Sequence, residues 1–111
     1  MTRRRLPNRR PVEIIDTEFR RRRYAVLIGR FDDGTIAETF VEPTKVGSDG
    51  AEDSRDVGII LSIALQSGVD VEAMRSAVSR IEQGRPSSLT GHVLDLIAAE
   101  NAAAGEIGGA A

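Results

Sequence analysis

The sequence contains no cysteine and no tryptophan, and His92 is the single histidine among its 111 residues. Without cysteine, the chain cannot form a disulfide, a thiolate zinc site or a thiol nucleophile. One histidine also excludes a histidine metal cluster within one chain. Aromatic residues amount to 4% of the sequence, so the hydrophobic core must be mostly aliphatic. We therefore predict no cofactor and no metal site, and the sequence favours a non-enzymatic protein without excluding catalysis.

Long apolar runs are missing as well. No segment approaches the ~20 apolar residues of a membrane span. The N-terminal stretch MTRRRLPNRRP is basic but has no apolar run of the kind that signal peptides contain. Pro7 and Pro11 would also break the helix of an arginine-rich transit peptide. These features predict a cytoplasmic protein with no membrane partner.

The remaining composition, 41% hydrophobic and 29% charged residues, is typical of one small globular domain. We predict an extended basic arm over residues 1–11, a single domain over 12–104 and a flexible tail over 105–111. Charge is unevenly distributed, because residues 1–23 contain nine arginines and three acids while the rest contains six basic and fourteen acidic residues. A basic arm on an acidic body can bind an anionic partner, its own body or a neighbouring copy.

Alternating hydrophobicity predicts three strands, over residues 12–19, 24–31 and 36–42. Asp33-Gly34 is a two-residue hairpin signal between the second and third strands, because both positions tolerate positive φ. A turn there fixes the register of the hairpin. The predicted pairs are Phe31 with Ile36, Leu27 with Phe40, Ile28 with Thr39 and Val26 with Val41.

Helical periodicity predicts the elements that follow. The apolar face of the first helix comprises Val57, Ile60, Leu61, Ala64 and Leu65, widened by Ile59 and Ile63. Gly68 fits a left-handed C-cap and Asp70 the N-cap of the second helix. The apolar face of that helix comprises Val71, Met74, Val78 and Ile81. A third helix begins near Ser88, so the predicted fold is α+β: a three-stranded antiparallel meander followed by two to three helices packed on the sheet.

Four consecutive arginines, Arg20 to Arg23, separate the first two strands. A strand through them would direct two guanidinium groups toward the core, so we predict a hairpin tip exposed to water. The alternative is a phosphate-binding surface, which requires the tip and the basic arm to converge on one face. Its candidate nucleic-acid contacts are Arg3, Arg4, Arg5, Arg9, Arg10, Arg20, Arg21, Arg22 and Arg23. Aromatic residues for base stacking are scarce there, so nucleic acid is not the favoured partner.

The loop KVGSDG before the first helix is a second candidate for anion binding. Lys45, Gly47 and Ser48 could bind an anion through backbone N–H groups at the helix N-terminus. The loop lacks the Walker pattern, and the acidic residues after it already complement the helix dipole. A capped helix start is therefore the favoured interpretation, with the anion-binding loop as the alternative.

The predicted register gives both faces of the hairpin large apolar pairs. Two helices joined to the third strand by short connections cover one face, which leaves the other for the third helix or for a second copy. Because an exposed apolar patch of that size is unusual on a small monomer, we predict a homodimer. Its candidate face comprises Leu27, Phe31, Ile36 and Phe40.

Two stretches of the sequence resemble a known domain. YAVLIGRFDDGTIAETFVEPTKVGSDG, followed by DVGIILSIALQSGVDVEAMRSAVSRI, resembles the TSCPD domain. That domain occurs near the C-terminal end of adenosylcobalamin-dependent ribonucleotide reductases and as small stand-alone proteins. The matching features are a strand pair around a D-G turn, a K-x-G loop at Lys45 to Gly47 and a helix ending in ALQSGV. The opening RRRLPNRRP also resembles the stand-alone bacterial versions.

This resemblance implies a non-catalytic accessory or protein-interaction module linked to deoxyribonucleotide synthesis. Its implied partner is a ribonucleotide reductase or another protein. Reductase chemistry needs radical cysteines, which this chain lacks, so no catalytic residue carries over. Two alternatives stay open: a small nucleic-acid-binding protein using the basic arm and Arg20 to Arg23, and a ligand-binding domain using the loop from Lys45 to Ser48.

Overall fold

A computed structural model describes residues 3–4, 12–47 and 49–109, with side chains described up to residue 103. Three strands, β1 (Val12–Phe19), β2 (Arg22–Arg30) and β3 (Ile36–Pro43), precede three helices, α1 (Ala51–Gln66), α2 (Val71–Ala77) and α3 (Leu89–Gly109). This order confirms the predicted α+β fold. The chain divides into two compact units, one ending at Gly68 and one beginning at Val69. Helix α3 extends into the segment predicted as a tail.

The sheet has the strand order β1-β2-β3, and both strand pairs are antiparallel. Three predicted pairs are confirmed: Leu27 with Phe40, Ile28 with Thr39 and Val26 with Val41. The register predicted from the turn therefore holds through the middle of this hairpin.

The predicted pairing of Phe31 with Ile36 is wrong. The register shifts between Gly29 and Arg30, and Ile36 pairs with Arg30 instead. The turn is longer than two residues, since the Phe31 amide donates to the Thr35 carbonyl at 2.8 Å. The Asp33 carboxylate tightens this turn by accepting from the Thr35 amide at 3.0 Å and from its hydroxyl at 2.6 Å. Between the Gly29–Glu38 and Arg30–Ile36 pairs, Ala37 is an extra residue in β3, which forms a bulge.

The two faces of the sheet differ in burial. On one face, five side chains of β2 and β3 are buried, those of Tyr24, Val26, Ile28, Thr39 and Val41. On the opposite face, a cross-strand row joins Ile14 of β1, Leu27 of β2 and Phe40 of β3. Ile14 is 67% exposed and Phe40 44% exposed. We call this second surface, with Val12 at its end, the open sheet face.

Helix α1 packs along the outer edge of β3 rather than across the sheet. The Ser62 hydroxyl accepts from the Thr39 amide and donates to the Thr39 carbonyl, and the Gln66 amide donates to the Ala37 carbonyl at 3.1 Å. At Gly58 the backbones approach so closely that a β-carbon would lie 2.9 Å from the Thr39 carbonyl oxygen. The helix thereby supplies hydrogen-bond partners to an edge strand that would otherwise leave these groups unpaired.

The predicted buried face of α1 is confirmed at Leu61 and Leu65 but is wrong at the three isoleucines. The buried side comprises Ser54, Gly58, Leu61, Ser62, Leu65 and Gln66. Ile59, Ile60 and Ile63 are instead 49%, 64% and 40% exposed. The prediction assumed that the most apolar side of the helix is buried, but a strand edge requires small residues for close approach and polar groups for hydrogen bonding.

The predicted junction between α1 and α2 is confirmed. Gly68 has a φ of 81°, which is the left-handed conformation expected after a helix C-terminus. The Asp70 carboxylate accepts from the Glu72 amide at 3.2 Å and caps α2. Helix α2 ends earlier than predicted, because Val78 is extended with a ψ of 157°. Ile81 therefore lies outside the helix and is 43% exposed.

Helix α3 begins where the sequence predicts. The Ser88 hydroxyl accepts from the Gly91 amide at 3.2 Å, one turn into the helix. Val93, Leu94 and Ile97 of α3 are completely or almost completely buried.

Asp95 of α3 is held by two arginines from the preceding segment. Its carboxylate accepts from Arg75 at 2.9 Å and from Arg80 at 2.8 and 3.0 Å. The hydrogen bonds from Arg80, followed by those from Arg75, lower the pKa of Asp95 to about 2. This carboxylate ties α2 and the loop after it to α3.

Candidate functional site

Arg20 and Arg21 form the whole of the turn between β1 and β2, because Phe19 pairs directly with Arg22. Their φ angles of 50° and 64° lie in the left-handed region, as a type I′ turn requires at both central positions. Residues Arg20 to Arg23 are all exposed. The predicted hairpin tip in water is therefore confirmed.

The loop between β3 and α1 folds against this turn. The Thr44 amide donates to the Arg23 carbonyl at 3.1 Å, and the Arg22 guanidinium donates to the Asp49 carbonyl. Gly50, with a φ of 80°, lies so close that a β-carbon there would be 3.2 Å from an Arg22 guanidinium nitrogen. These contacts place the start of α1 beside the first residues of β2.

An open depression of about 620 Å³ lies between the turn and the loop. We call it the basic depression, and its lining residues are Arg20, Arg21, Arg22, Arg23, Thr44, Lys45, Gly47 and Asp49. Five of these side chains are cationic and one is a carboxylate. The structure thus brings the arginine run and the predicted anion-binding loop together, with Ser48 of that loop lying outside the described residues.

Sequence reasoning treated the arginine run and the loop as separate candidates, and it missed Thr44 and Asp49 as neighbours of the arginines. The sequence did contain the information needed to place Thr44 beside the arginines, because it follows from the confirmed register of the hairpin. The register continues to the pairing of Tyr24 with Pro43. Residues just before Tyr24 must therefore meet residues just after Pro43, which brings Arg23 next to Thr44.

An acidic surface adjoins the basic depression. A second open depression of about 370 Å³ is lined by Asp49, Gly50, Ala51, Glu52, Asp53 and Arg55 at the start of α1. Asp49 lines both depressions. The positive potential is therefore confined to a small area at the turn and falls off toward α1.

The described part of the basic arm lies at the other end of the sheet. The Arg4 amide donates to the Gln66 carbonyl at 2.6 Å, and the Arg4 guanidinium forms a 3.2 Å ion pair with Asp33. The same guanidinium stacks on the Phe31 ring, 3.8 Å from its centroid. Hydrogen bonds from Thr35, and then from Arg4, lower the pKa of Asp33 to about 2.

The turn at Asp33 and the turn at Arg20 are separated by the length of β2, about 25 Å at ~3.3 Å per residue. Arg3, which donates to the Gln66 side chain, and Arg4 therefore do not converge with the hairpin tip. An extended phosphate-binding surface requires the basic arm and the hairpin tip to lie together, and Arg3 and Arg4 do not satisfy this requirement. Arg5, Arg9 and Arg10 lie outside the described residues.

The candidate dimer residues separate into two pairs. Phe31 and Ile36 are 7% and 3% exposed, so they belong to the interior of the chain. Leu27 is partly buried and Phe40 is 44% exposed on the open sheet face. The sequence missed Val12 and Ile14, which extend the same face and are 52% and 67% exposed.

Two described polar side chains at the start of α3 have structural partners. Asp95 is bound to Arg75 and Arg80, and the Ser88 hydroxyl caps the helix. Burial lowers the pKa of His92, an effect that the charge of Asp95 partly offsets. Within the described residues, no group of three or more histidines and carboxylates is arranged to hold a metal ion.

Comparison with known proteins found no matching family model, no matching curated protein and no matching solved structure. The resemblance to the TSCPD domain therefore stays a prediction from the residues that carry it. Among the described residues, none of the helices has the length and apolarity needed to cross a bilayer.

Proposed function

We propose that this chain is a non-catalytic protein-interaction module that self-associates through one largely apolar surface. The surface consists of the open sheet face and the adjoining flank of α1. Its members are Val12, Ile14, Leu27, Phe40, Ile59 and Ile63. The observation that carries the proposal is the exposed row of Ile14, Leu27 and Phe40 across all three strands.

Because α1 contacts β3, the side of α1 that carries Ile59 and Ile63 adjoins the open sheet face. Arg55 of α1 forms a 3.1 Å ion pair with Glu42, whose side chain lies on the same face as Phe40. Ile59 and Ile63 follow Arg55 at intervals of four residues, so they lie on the same flank of the helix. Ile59 directly follows Gly58, where a β-carbon would lie 3.2 Å from the Phe40 Cα.

The size of this surface suits a modest dimer interface. Five of its six side chains are at least 40% exposed, whereas large contiguous apolar patches are rare on monomers. A standard interface buries about 800 Å² per partner and is somewhat more than half apolar. The paired charges of Arg55 and Glu42 lie beside the apolar centre, as expected for a polar rim.

A second copy fits this surface better across its face than along a strand edge. Helix α1 already occupies the β3 edge through Ser62 and Gln66. The β1 edge carries Glu13, Asp16 and Glu18, and self-pairing of this strand would bring like charges together. A two-fold arrangement with the two open faces in contact buries the same side chains from each copy.

The resemblance to the TSCPD domain extends the proposal to an accessory role in cytoplasmic deoxyribonucleotide synthesis. The proposed second partner is a ribonucleotide reductase. A binding titration with purified reductase tests this extension independently, since the self-association proposal stands whether or not the reductase binds. Loss of reductase binding on replacing Phe40 would indicate that both partners use the apolar surface.

Charge insertion tests the proposed interface. We expect Phe40→Glu to convert the dimer to a monomer, because a carboxylate would be buried at the centre of the contact. Val46→Glu is the matched control, since Val46 is 98% exposed in the loop before α1 and is not part of the proposed surface. Light scattering over a dilution series gives the mass, and circular dichroism shows that both variants are folded. Equal masses for both variants and the unchanged chain would contradict the proposed interface.

A further inference from the structure

We propose that the basic depression binds a compact oligophosphate anion, of the kind carried by a nucleoside triphosphate or by inorganic tripolyphosphate. This site lies at the turn end of the sheet and is separate from the apolar surface proposed for self-association. Its cationic groups are Arg20, Arg21, Arg22, Arg23 and Lys45.

The depression is preorganised by main-chain contacts. The hydrogen bond from Thr44 to the Arg23 carbonyl fixes the loop against β2. The bond from the Arg22 guanidinium to the Asp49 carbonyl fixes the start of α1 against the same strand. The loop backbone that carries Lys45 is therefore fixed beside the arginines before any ligand arrives, which reduces the ordering cost of binding.

The chemistry of the turn indicates that its arginines are present for their charge. A type I′ turn favours Asn-Gly, because both central residues have positive φ. Arg20 and Arg21 adopt this conformation at φ 50° and 64° although their β-carbons make it less favourable. Four adjacent cations also repel one another, and an anion bound among them would offset that repulsion.

The dimensions and charge of the depression fit a small polyanion. Its volume of about 620 Å³ falls within the range of small-molecule sites, ~300–1,000 Å³. Guanidinium groups bind phosphate oxygens in a bidentate manner, and Lys45 adds a point charge. Gly47 has no neighbouring atom within 4 Å of where a β-carbon would lie, so the loop backbone permits close approach of a ligand.

The surroundings disfavour a long nucleic acid as the ligand. Glu52 and Asp53 line the adjoining acidic depression and would repel the next phosphates of a polymer. Arg3 and Arg4 lie at the other end of the sheet, where Arg4 is paired with Asp33. A chain of a few phosphates can remain within the basic depression, whereas an extended backbone cannot avoid the acids.

Isothermal titration calorimetry of the full chain with inorganic tripolyphosphate tests the proposal. We expect saturable binding that weakens as salt rises and that is at least tenfold tighter than binding of inorganic monophosphate. The test variant is the double substitution Arg20→Asn with Arg21→Gly, which removes two guanidinium groups but supplies the residues that a type I′ turn prefers. We expect this variant to remain folded and to bind tripolyphosphate at least tenfold more weakly.

The control is Arg85→Glu, which changes the net charge by the same two units outside the depression. It should leave tripolyphosphate binding unchanged. A titration with ATP distinguishes a nucleotide from an inorganic ligand. Equal affinities for ATP and tripolyphosphate indicate that only the phosphate chain is recognised, and a higher affinity for ATP indicates that the ligand is a nucleotide. No binding of tripolyphosphate, equal loss in the control, or tighter binding of duplex DNA than of tripolyphosphate would overturn the proposal.

Discussion

The Ser62 hydroxyl forms two hydrogen bonds with the backbone of Thr39, accepting from its amide at 2.9 Å and donating to its carbonyl at 3.0 Å. One side chain of α1 thus satisfies both outward-facing main-chain groups of an edge-strand residue. The contact is buried, so water cannot replace it if the hydroxyl is removed.

Ser62→Ala is therefore expected to destabilise the chain by about 1–3 kcal/mol, the cost of leaving buried polar groups unpaired. Urea denaturation measures this change. Ser76→Ala is a suitable control, because the exposed Ser76 hydroxyl bonds only the Glu72 carbonyl of its own helix. A loss of no more than about 0.5 kcal/mol is expected for the control. Similar results for both variants would mean that Ser62 does not anchor α1 to β3.

Gly58→Ala tests how closely α1 approaches β3. The new β-carbon would lie 2.9 Å from the Thr39 carbonyl oxygen and 3.2 Å from the Phe40 Cα. These are backbone atoms, so the helix has to move away from the strand. We expect a net loss of about 1–3 kcal/mol by denaturation, although alanine is the better helix former. A stabilised variant would show that the two backbones are farther apart.

The junction after α1 gives a prediction about local conformation. Gly68→Ala should destabilise by about 1 kcal/mol, because Gly68 has a φ of 81° and no steric clash is involved. Asp70→Ala should cost a similar ~1 kcal/mol through the loss of the α2 cap. Chemical denaturation measures both. Two near-neutral results would indicate one continuous helix through this segment.

Asp95 should make stability depend on acid. Its folded pKa of about 2 lies below the ordinary 3.8, so the ionised form is favoured in the folded state. The stabilisation is present above pH 4 and is lost as the pH falls from about 4 to 2. Asp33 titrates in the same range. The urea midpoint should therefore be similar at pH 7 and pH 5 and lower at pH 2.5, and Asp95→Asn should reduce that fall. An unchanged pH profile in Asp95→Asn would contradict this assignment.

The strands and the hairpin register were predictable because alternation of apolar residues has a period of two and the D-G turn limits the slip between strands. Leu27 opposite Phe40 follows from this reasoning alone. The pairing next to the turn at Asp33 was not predictable from alternation. The Asp33 side chain stabilises a longer turn, and the resulting bulge separates Phe31 from Ile36.

The buried face of α1 illustrates what hydrophobic periodicity leaves out. Ile60 belongs to the most apolar side of the helix and is 64% exposed, whereas Ser62 and Gln66 are buried. A helix that packs on a strand edge has to satisfy backbone amides and carbonyls. Small and polar residues at intervals of four, as at Gly58, Ser62 and Gln66, are the sequence pattern of such a contact.

The basic depression could have been inferred from the sequence by extending the predicted register. The pairing of Leu27 with Phe40 continues to Tyr24 and Pro43, which brings Arg23 beside Thr44. The type I′ geometry at Arg20 and Arg21 was not predictable, since arginine is not a residue that favours this turn.

Sedimentation equilibrium of the unchanged chain at micromolar concentration is the most direct test of self-association through the apolar surface. The chain mass is 12.0 kDa. We predict a mass of about twice this value, decreasing toward the monomer on dilution as expected for a reversible two-fold dimer. A monomer mass at every concentration would contradict the proposal and leave Ile14, Leu27 and Phe40 as an exposed surface without a second copy to cover it.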